Sequence, residues 1–263
     1  MSREEAVELV AVARRGAVCV VTLNRPAKLN ALSTDLERQL DAAIRSDAVA
    51  GAGALLITGS GRAFSAGADI GEMRDADPAG VMAYYRETGE IYERIAALPQ
   101  ASVCAIHGYC LGGGLELALA TDLRVADETA VFGLPEVQIG ILPSSGGTHR
   151  LVRAVGPARA KELILLRERV DAAEAHRIGL VAEVVPEGTA LERGVRIAER
   201  LAALPPLAVE LAKRAVDQMA DSSREAGILI ERLAYGVLAN TTDARAAADR
   251  FVSEHEHGGP SGP

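Results

Sequence analysis

The feature that most constrains the fold lies in the N-terminal half of the sequence. There a short apolar run, a glycine-rich loop and a predicted helix follow one another, and this order is repeated. Ala54–Thr58 precedes the loop Gly59–Asp69, and Ser102–Ile106 precedes the loop His107–Gly114. Apolar runs of this length are typical of strands that are buried on both faces. Their alternation with helices predicts an α/β fold, with a ligand site in the loops at the strand ends.

Turn and capping signals predict the other elements of this part. Val7–Ala13 and Ala17–Leu23 are β-like runs, and the Arg-Arg-Gly break between them suits a hairpin. Thr34 and Glu37 have the spacing of a capping box, which predicts a helix over 34–46. Helices are also predicted at 79–97 and Leu115–Ala120, and strands at Leu123–Ala126, Ala130–Phe132 and Val181–Val185.

Helical patterns punctuated by Gly and Pro dominate from about residue 157. Pro205-Pro206 is interpreted as a hinge, which divides the chain into a core with the active site (1–200) and a helical oligomerisation region (201–263). Apolar residues in this region outnumber what one thin layer of helices can hide, so we expect it to bury surface against other subunits. The polar tail 254–263 is expected to fray. The predicted helices are 157–167, 171–178, 189–203, 206–220, 224–240 and 243–254.

Charge and composition argue against several classes of partner. The net charge is −8 and no block of basic residues occurs, so no nucleic-acid partner is expected. No uncharged apolar run reaches the ~18 residues of a membrane-spanning helix, and the acidic N-terminus lacks the apolar segment of a signal peptide. Cys19, Cys104 and Cys110 lie in apolar segments without a CxxC pair, which favours buried thiols in a reducing compartment. We therefore expect no membrane partner and a cytoplasmic location.

Motifs for other common chemistries are incomplete. The dinucleotide fingerprint, the P-loop and the GxSxG elbow are not met. None of the five histidines has the spacing of a metal site, so no metal is expected.

Three consecutive glycines, Gly112-Gly113-Gly114, stand at the entrance to the predicted helix Leu115–Ala120. Glycine lets a backbone N–H approach a ligand without interference from Cβ, and a helix N-terminus favours negative charge. Tight packing of the loop on a strand explains the same glycines equally well. The loop Phe64–Asp69 offers further small-residue amides, and two N–H donors that converge on one point would form an oxyanion hole.

Two acids lie in apolar surroundings, Glu116 in the predicted helix and Glu136 after Pro135. Burying a carboxylate without a partner costs several kcal/mol, so such positions need a reason. A pair of carboxyl groups suits a reaction that takes a proton from water and delivers one to carbon. Taken singly, each acid is more often structural than catalytic.

Together these segments resemble the crotonase (enoyl-CoA hydratase/isomerase) superfamily over most of the chain. The motifs that carry the resemblance occur in order at matching spacings. They are Asn24-Arg25-Pro26 with Asn30-Ala31-Leu32, Ala63–Asp69, His107–Ala118, Phe132–Glu136, Gly140–Pro143 with Gly146-Gly147-Thr148, and Ala172, Ala175 and Gly179-Leu180-Val181.

The resemblance implies a fold, an assembly and a site. The fold is expected to be a spiral of ββα turns with a helical C-terminal region, assembled as a homotrimer or as a hexamer made of two trimers. Ala66 and Gly113 match the positions whose N–H groups form the oxyanion hole, and Glu116 and Glu136 match the catalytic carboxylates. No metal or cofactor is implied beyond the coenzyme A of the substrate. The substrate-binding positions are expected to be Ala66, Gly67, Ala68, Asp69, Ile70 and Gly113.

Some positions depart from the pattern of this superfamily. Gly71 stands where Lys is often found, which removes one phosphate contact, and His149 stands where Gln is usual. The residues that offer a replacement phosphate contact are Arg25, Lys28, Arg62 and Arg74.

The activity implied is hydration of 2-enoyl-CoA to 3-hydroxyacyl-CoA, in fatty-acid or related acyl-CoA degradation. Glu116 and Glu136 together favour a hydratase, because an isomerase needs only one carboxylate. The alternatives are a Δ3,Δ2-enoyl-CoA isomerase, a dehydratase acting on a specialised acyl-CoA, and a non-catalytic acyl-CoA-binding or assembly subunit.

Overall fold

The structure is a computed structural model that describes residues 7–74, 77–166 and 169–256. The chain divides into two units between Ala203 and Leu204, three residues beyond the boundary expected from the sequence. The first unit contains the strands and helices that carry every predicted site residue.

Among the described residues of the first unit, nine strands form two sheets. They are β1 (Val10–Arg15), β2 (Val18–Leu23), β3 (Ala54–Gly59), β4 (Ala101–Ile106), β5 (Tyr109–Leu111), β6 (Leu123–Asp127), β7 (Val131–Gly133), β8 (Val170–Asp171) and β9 (Glu183–Val185). The large sheet has the order β1-β2-β3-β4-β6-β9, parallel except for the β1–β2 hairpin. The small sheet has the order β5-β7-β8.

The described helices follow the strands in the alternating order that the sequence predicts. They are α1 (Thr34–Ile44), α2 (Asp47–Ala50), α3 (Ile70–Arg74), α4 (Pro78–Ala96), α5 (Gly113–Leu119), α6 (Gly147–Leu165), α7 (Ala172–Arg177), α8 (Ala190–Ala202), α9 (Pro206–Met219), α10 (Arg224–Leu238) and α11 (Thr242–Glu256).

The central strands are buried on both faces, as their apolar runs predict. Leu55 and Ile57 of β3 face a larger core that also includes residues of α1, α4 and α5. Ala54 and Leu56 face a smaller core closed by α8. Successive side chains of a strand point to opposite faces, so this one strand contributes to both cores.

One predicted cap and one predicted boundary are wrong for local reasons, although α1 begins at Thr34 as expected. Helix α1 is capped by Ser33, whose Oγ accepts the N–H of Leu36 at 3.3 Å, rather than by Thr34 with Glu37. Helix α6 begins at Gly147, ten residues before the predicted start. It bends at Gly156, whose φ of 79° lies in the left-handed region, and the sequence pattern revealed only the part after this bend.

The second unit consists of α9, α10 and α11. Helix α9 has no buried residue, and in α10 only Gly227 is buried. Large apolar side chains of this unit are exposed at Leu204, Leu207, Val216, Leu229, Leu233, Tyr235, Val237, Phe251 and Val252. Helix α11 continues to Glu256, and the rest of the predicted fraying tail lies outside the described residues.

All three cysteines are free and buried. Among the described residues, no helix combines the length and apolar character needed to cross a membrane.

Candidate active site

A pocket of about 250 Å³ lies where the loops after β3 and β4 meet α1, α4 and the segment 135–145. Predicted site residues that line it are Ala66, Gly67, Ala68, Ile70, Gly113, Glu116 and Glu136. Asp69 does not line the pocket, and its carboxylate pairs with Arg25 at 2.7 Å. A second cleft of about 270 Å³, lined largely by charged side chains, contains none of them.

Backbone hydrogen bonds hold the two glycine-rich loops side by side. Ser65 N–H donates to the Tyr109 carbonyl at 2.9 Å, and Leu111 N–H donates to the Ser65 carbonyl at 3.0 Å. A Cβ added to Gly114 would lie 2.8 Å from the Ser65 Cβ, so only glycine permits this approach. The convergence that the sequence left open is therefore present.

The backbone donors of these loops differ from the prediction at one position. Ala66 N–H already donates to the Leu29 carbonyl at 2.9 Å, so the assignment of Ala66 to an oxyanion hole is wrong. Asp69 N–H donates to Leu32, and successive N–H groups of an extended segment point in opposite directions. The N–H of Ala68 therefore points away from Leu32, to which the Asp69 N–H donates.

Ala68 and Gly113 both line the pocket, and each offers a backbone N–H group. Within the described ranges, neither group has an acceptor in the protein. A Cβ added to Gly113 would lie 3.7 Å from the Ala68 nitrogen, which places the two residues at one point of the pocket. These two donors can bind one oxygen atom that carries negative charge.

Glu116 projects from the first turn of α5 and is 3% exposed. Its Oε1 accepts the N–H groups of Ser145 at 2.8 Å and Gly147 at 3.0 Å. Burial raises the pKa of Glu116, while these N–H bonds act in the opposite direction because they stabilise the anion. Its surroundings suit a carboxylate that accepts protons.

Glu136 begins a 3₁₀ helix that follows Pro135. Both of its carboxyl oxygens are buried and have no hydrogen-bond partner among the described residues. Burial and, to a smaller extent, the charge of Glu116 together raise the pKa of Glu136 to about 7. Glu136 therefore retains a proton at pH values where an exposed glutamate has lost it.

Comparison with known proteins identifies the family of the chain. Residues 13–257 match the family model described as enoyl-CoA hydratase/isomerase. The chain belongs to the enoyl-CoA hydratase/isomerase family. It is 38% identical to the 2,3-dehydroadipyl-CoA hydratase of Escherichia coli, over 92% of this chain and 95% of that protein.

Other members of the enoyl-CoA hydratase/isomerase family extend the match. The short-chain-enoyl-CoA hydratase of Clostridium acetobutylicum is 35% identical, over 94% of this chain and 95% of that protein. The solved structure of an enoyl-CoA hydratase from Bacillus anthracis has a TM-score of 0.88 at 35% identity, covering 94% of this chain and 96% of that chain. The predicted α/β fold of this superfamily is confirmed.

The sequence reasoning missed one acid of this family member's pocket. Glu37 lines the pocket and is 4% exposed. Thr88 Oγ1 donates to its Oε2 at 2.9 Å, and the Tyr92 hydroxyl donates to its Oε1 at 3.4 Å. Helical spacing could have found it, because Glu37 precedes Leu40 and Ile44 by three and seven residues on one buried stripe.

The positions that depart from the pattern of the family lie outside the pocket lining. Gly71, Lys28 and Arg62 are exposed, and Arg25 is engaged by Asp69. His149 Nε2 lies 3.5 Å from an Arg153 nitrogen. The side chain of Arg74 lies outside the described part of the chain.

Gly147 provides a test of how the Glu116 carboxylate is held. A Cβ added to Gly147 would lie 2.5 Å from both Cγ and Oε1 of Glu116, so Gly147→Ala should displace that carboxylate. We expect kcat to fall about tenfold or more while the chain still folds, since small misplacements of a reacting group are costly. Steady-state kinetics measures this effect. Gly89→Ala is the matched control, because its Cβ would meet nothing within 4 Å, and equal kinetics in both variants would contradict the expectation.

Proposed function

We propose that this family member hydrates 2-enoyl-CoA thioesters to 3-hydroxyacyl-CoA. The observation that carries the proposal is the contrast between the buried carboxyl groups of two acids that line one pocket. Glu116 accepts two N–H bonds, whereas Glu136 has no hydrogen-bond partner among the described residues. Environments that separate two carboxyl groups in this way assign one as the base and the other as the acid.

The reaction assigns a task to each group. The thioester oxygen accepts the N–H groups of Ala68 and Gly113, which stabilise the negative charge of the enolate. Glu116 takes a proton from the water that attacks C3, and Glu136 donates its proton to C2. Hydroxyl is thereby added at C3 and hydrogen at C2, and a proton returned from Glu116 to Glu136 restores the starting state.

The coenzyme A portion enters past the loop 66–70. We propose that Ala66, Gly67, Ala68 and Ile70 contact it through backbone and small side chains, as the pocket lining allows. Asp69 stabilises this loop through its ion pair with Arg25. The proposal includes no cofactor, and the coenzyme A belongs to the substrate.

The alternative enzyme activity is Δ3,Δ2-enoyl-CoA isomerisation. It needs one carboxyl group to move a proton between C4 and C2, and either Glu116 or Glu136 suffices for that. The second buried acid favours hydration, as do the hydratase names of the two relatives.

A substrate panel tests this proposal. The protein is mixed with 2-enoyl-CoA thioesters of rising chain length, and loss of the conjugated thioester absorbance is followed. We expect hydration of at least one chain length at a rate within the range common for enzymes, about 1–10³ s⁻¹. Faster conversion of a 3-enoyl-CoA would favour the isomerase, and no reaction with any thioester would favour a non-catalytic subunit.

We also propose a homotrimer or a hexamer of two trimers, with the interfaces formed by residues beyond about 200. The exposed apolar side chains of α9, α10 and α11 support it, because a patch of this kind is uncommon on a monomer. Sedimentation should find the trimer or hexamer at micromolar concentration. Leu233→Glu, at a side chain that is 62% exposed, should lower the oligomer mass, and a stable wild-type monomer would contradict the proposal.

A further inference from the structure

A third acid of the pocket, Glu37, has no task in the proposed reaction. It lies on α1 and faces Thr88 and Tyr92 of α4. Burial raises its pKa to about 7, and the charge of Glu116 also contributes to this increase. Within the described part of the chain, no Lys, Arg or His forms an ion pair with it.

A buried acid at this position is unfavourable for binding a purely alkyl chain. Burying a carboxyl group costs free energy that hydrogen bonds must offset, whereas a leucine of similar size would pack against the chain without that cost. The other lining residues include the apolar side chains of Leu32, Ile139 and Leu142. Glu37 and Thr88 thus form a polar cluster on α1 and α4 in a pocket that also offers apolar side chains.

The hydroxyl groups around Glu37 do not saturate its hydrogen-bonding capacity. Thr88 Oγ1 lies 2.9 Å from Glu37 and also 3.0 Å from the Tyr84 carbonyl oxygen. The Tyr92 hydroxyl lies 3.4 Å from Glu37 and also 3.4 Å from the Gly113 carbonyl oxygen. The Tyr84 hydroxyl also hydrogen-bonds Glu37, and it lies 3.4 Å from the Leu32 carbonyl oxygen. Each of these three hydroxyls has one proton and two possible acceptors, whereas a carboxylate has about four acceptor positions. Glu37 can accept a further hydrogen bond.

We infer that Glu37, Thr88 and Tyr92 form a subsite for a hydroxyl group on the acyl chain of the substrate. A hydroxyl both donates and accepts, which matches a carboxyl group surrounded by hydroxyls. The inference rests on the proposed function, because it assigns a class of acyl group to the same pocket. It makes Glu37 a specificity-determining residue.

Charge argues against a carboxylate-ended acyl chain at the same subsite. Glu37, Glu116 and Glu136 all line the pocket, and Arg169 is the cation among its described lining residues. Arg169 lies over the Tyr109 ring, 5.8 Å from its centroid. A substrate carboxylate beside Glu37 would meet a like charge with both groups partly desolvated, which disfavours binding.

The test compares three thioesters at each of several chain lengths: a straight-chain 2-enoyl-CoA, its ω-hydroxy form and its ω-carboxylate form. For the wild type we expect kcat/KM to be highest for a hydroxy form, by about 10–10²-fold over the matched straight chain. Glu37→Leu should lower this ratio by the same factor. Glu37→Gln should retain most of it, because an amide still donates and accepts. Glu87→Gln, an exposed acid on α4, is the control and should leave the ratio unchanged.

Binding measurements test this inference independently of the proposed function. Dissociation constants of the saturated hydroxy and straight-chain acyl-CoA thioesters, measured by calorimetry, report the subsite without any turnover. The inference is overturned if the wild type favours the straight chain at every length in kinetics and binding. It is also overturned if Glu37→Leu folds and leaves both ratios unchanged. Hydration of straight chains would then still uphold the proposed function, whereas a binding preference without hydration would uphold the subsite alone.

Discussion

Glu136→Gln and Glu116→Gln should each lower kcat for hydration by about 10²-fold or more while acyl-CoA still binds. Gln at 136 cannot deliver the proton that C2 requires. Gln at 116 cannot accept a proton from water, although its amide oxygen can still accept the N–H groups of Ser145 and Gly147. Both variants should therefore fold. Absorbance kinetics measures turnover, and calorimetry with a saturated acyl-CoA measures binding.

The control is Glu128→Gln, which removes an exposed acid from the same region of sequence and should leave turnover unchanged. If only Glu136→Gln is inactive and the wild type isomerises a 3-enoyl-CoA faster than it hydrates, the isomerase alternative is correct. If neither change alters any acyl-CoA reaction, the assignment of both acids is wrong.

The pH dependence of hydration tests which of Glu116 and Glu136 is the acid and which is the base. Because burial raises the pKa of Glu136 to about 7, its proton is present below that pH and is lost above it. If Glu136 is the acid, kcat/KM for hydration should fall as pH rises through about 7. Glu37 has a pKa in the same range, so the fall must persist in Glu37→Gln. A rate that increases through pH 7 would instead identify Glu136 as the base.

Gly113→Pro should lower kcat by about 10²–10³-fold, the usual effect of losing one oxyanion-hole donor. Proline removes the N–H that we propose to bind the thioester oxygen. Gly113 is the first residue of α5, where proline is well tolerated, and the preceding residue is Gly112, which has no Cβ to clash with the ring. We therefore expect the variant to fold.

Gly113→Ala is the matched control, because it adds a Cβ but keeps the N–H. That Cβ would lie 3.1 Å from Leu32 Cδ1, the end of a flexible side chain that can shift slightly. The alanine variant should lose much less activity than the proline variant. Circular dichroism confirms folding, and a folded Gly113→Pro protein with normal turnover would show that this N–H does not act on the thioester.

Much of the architecture follows from local sequence patterns. The apolar runs at 54–58 and 102–106 became β3 and β4, because a run without polar alternation is stable only where both faces are covered. The glycines at 112–114 stand out because they occur together at the entrance to a helix, and the acids at 116 and 136 stand out because they conflict with apolar surroundings. Such conflicts are visible in one sequence without knowledge of any contact.

The tertiary structure decided which groups are free to act. Ala66 and Ala68 are the same residue type two positions apart. Only the structure shows that the Ala66 N–H donates to Leu29, whereas the Ala68 N–H has no acceptor among the described residues. The spacing of Thr34 and Glu37 equally fits a capping box, but Ser33 caps the helix and Glu37 enters the pocket. The environments of Glu116 and Glu136 also depend on distant partners, since Ser145 and Gly147 lie about 30 residues from Glu116 along the chain. A pattern of residue types determines which segments must be buried, whereas hydrogen bonds and pKa values depend on atoms that only folding brings within a few ångströms.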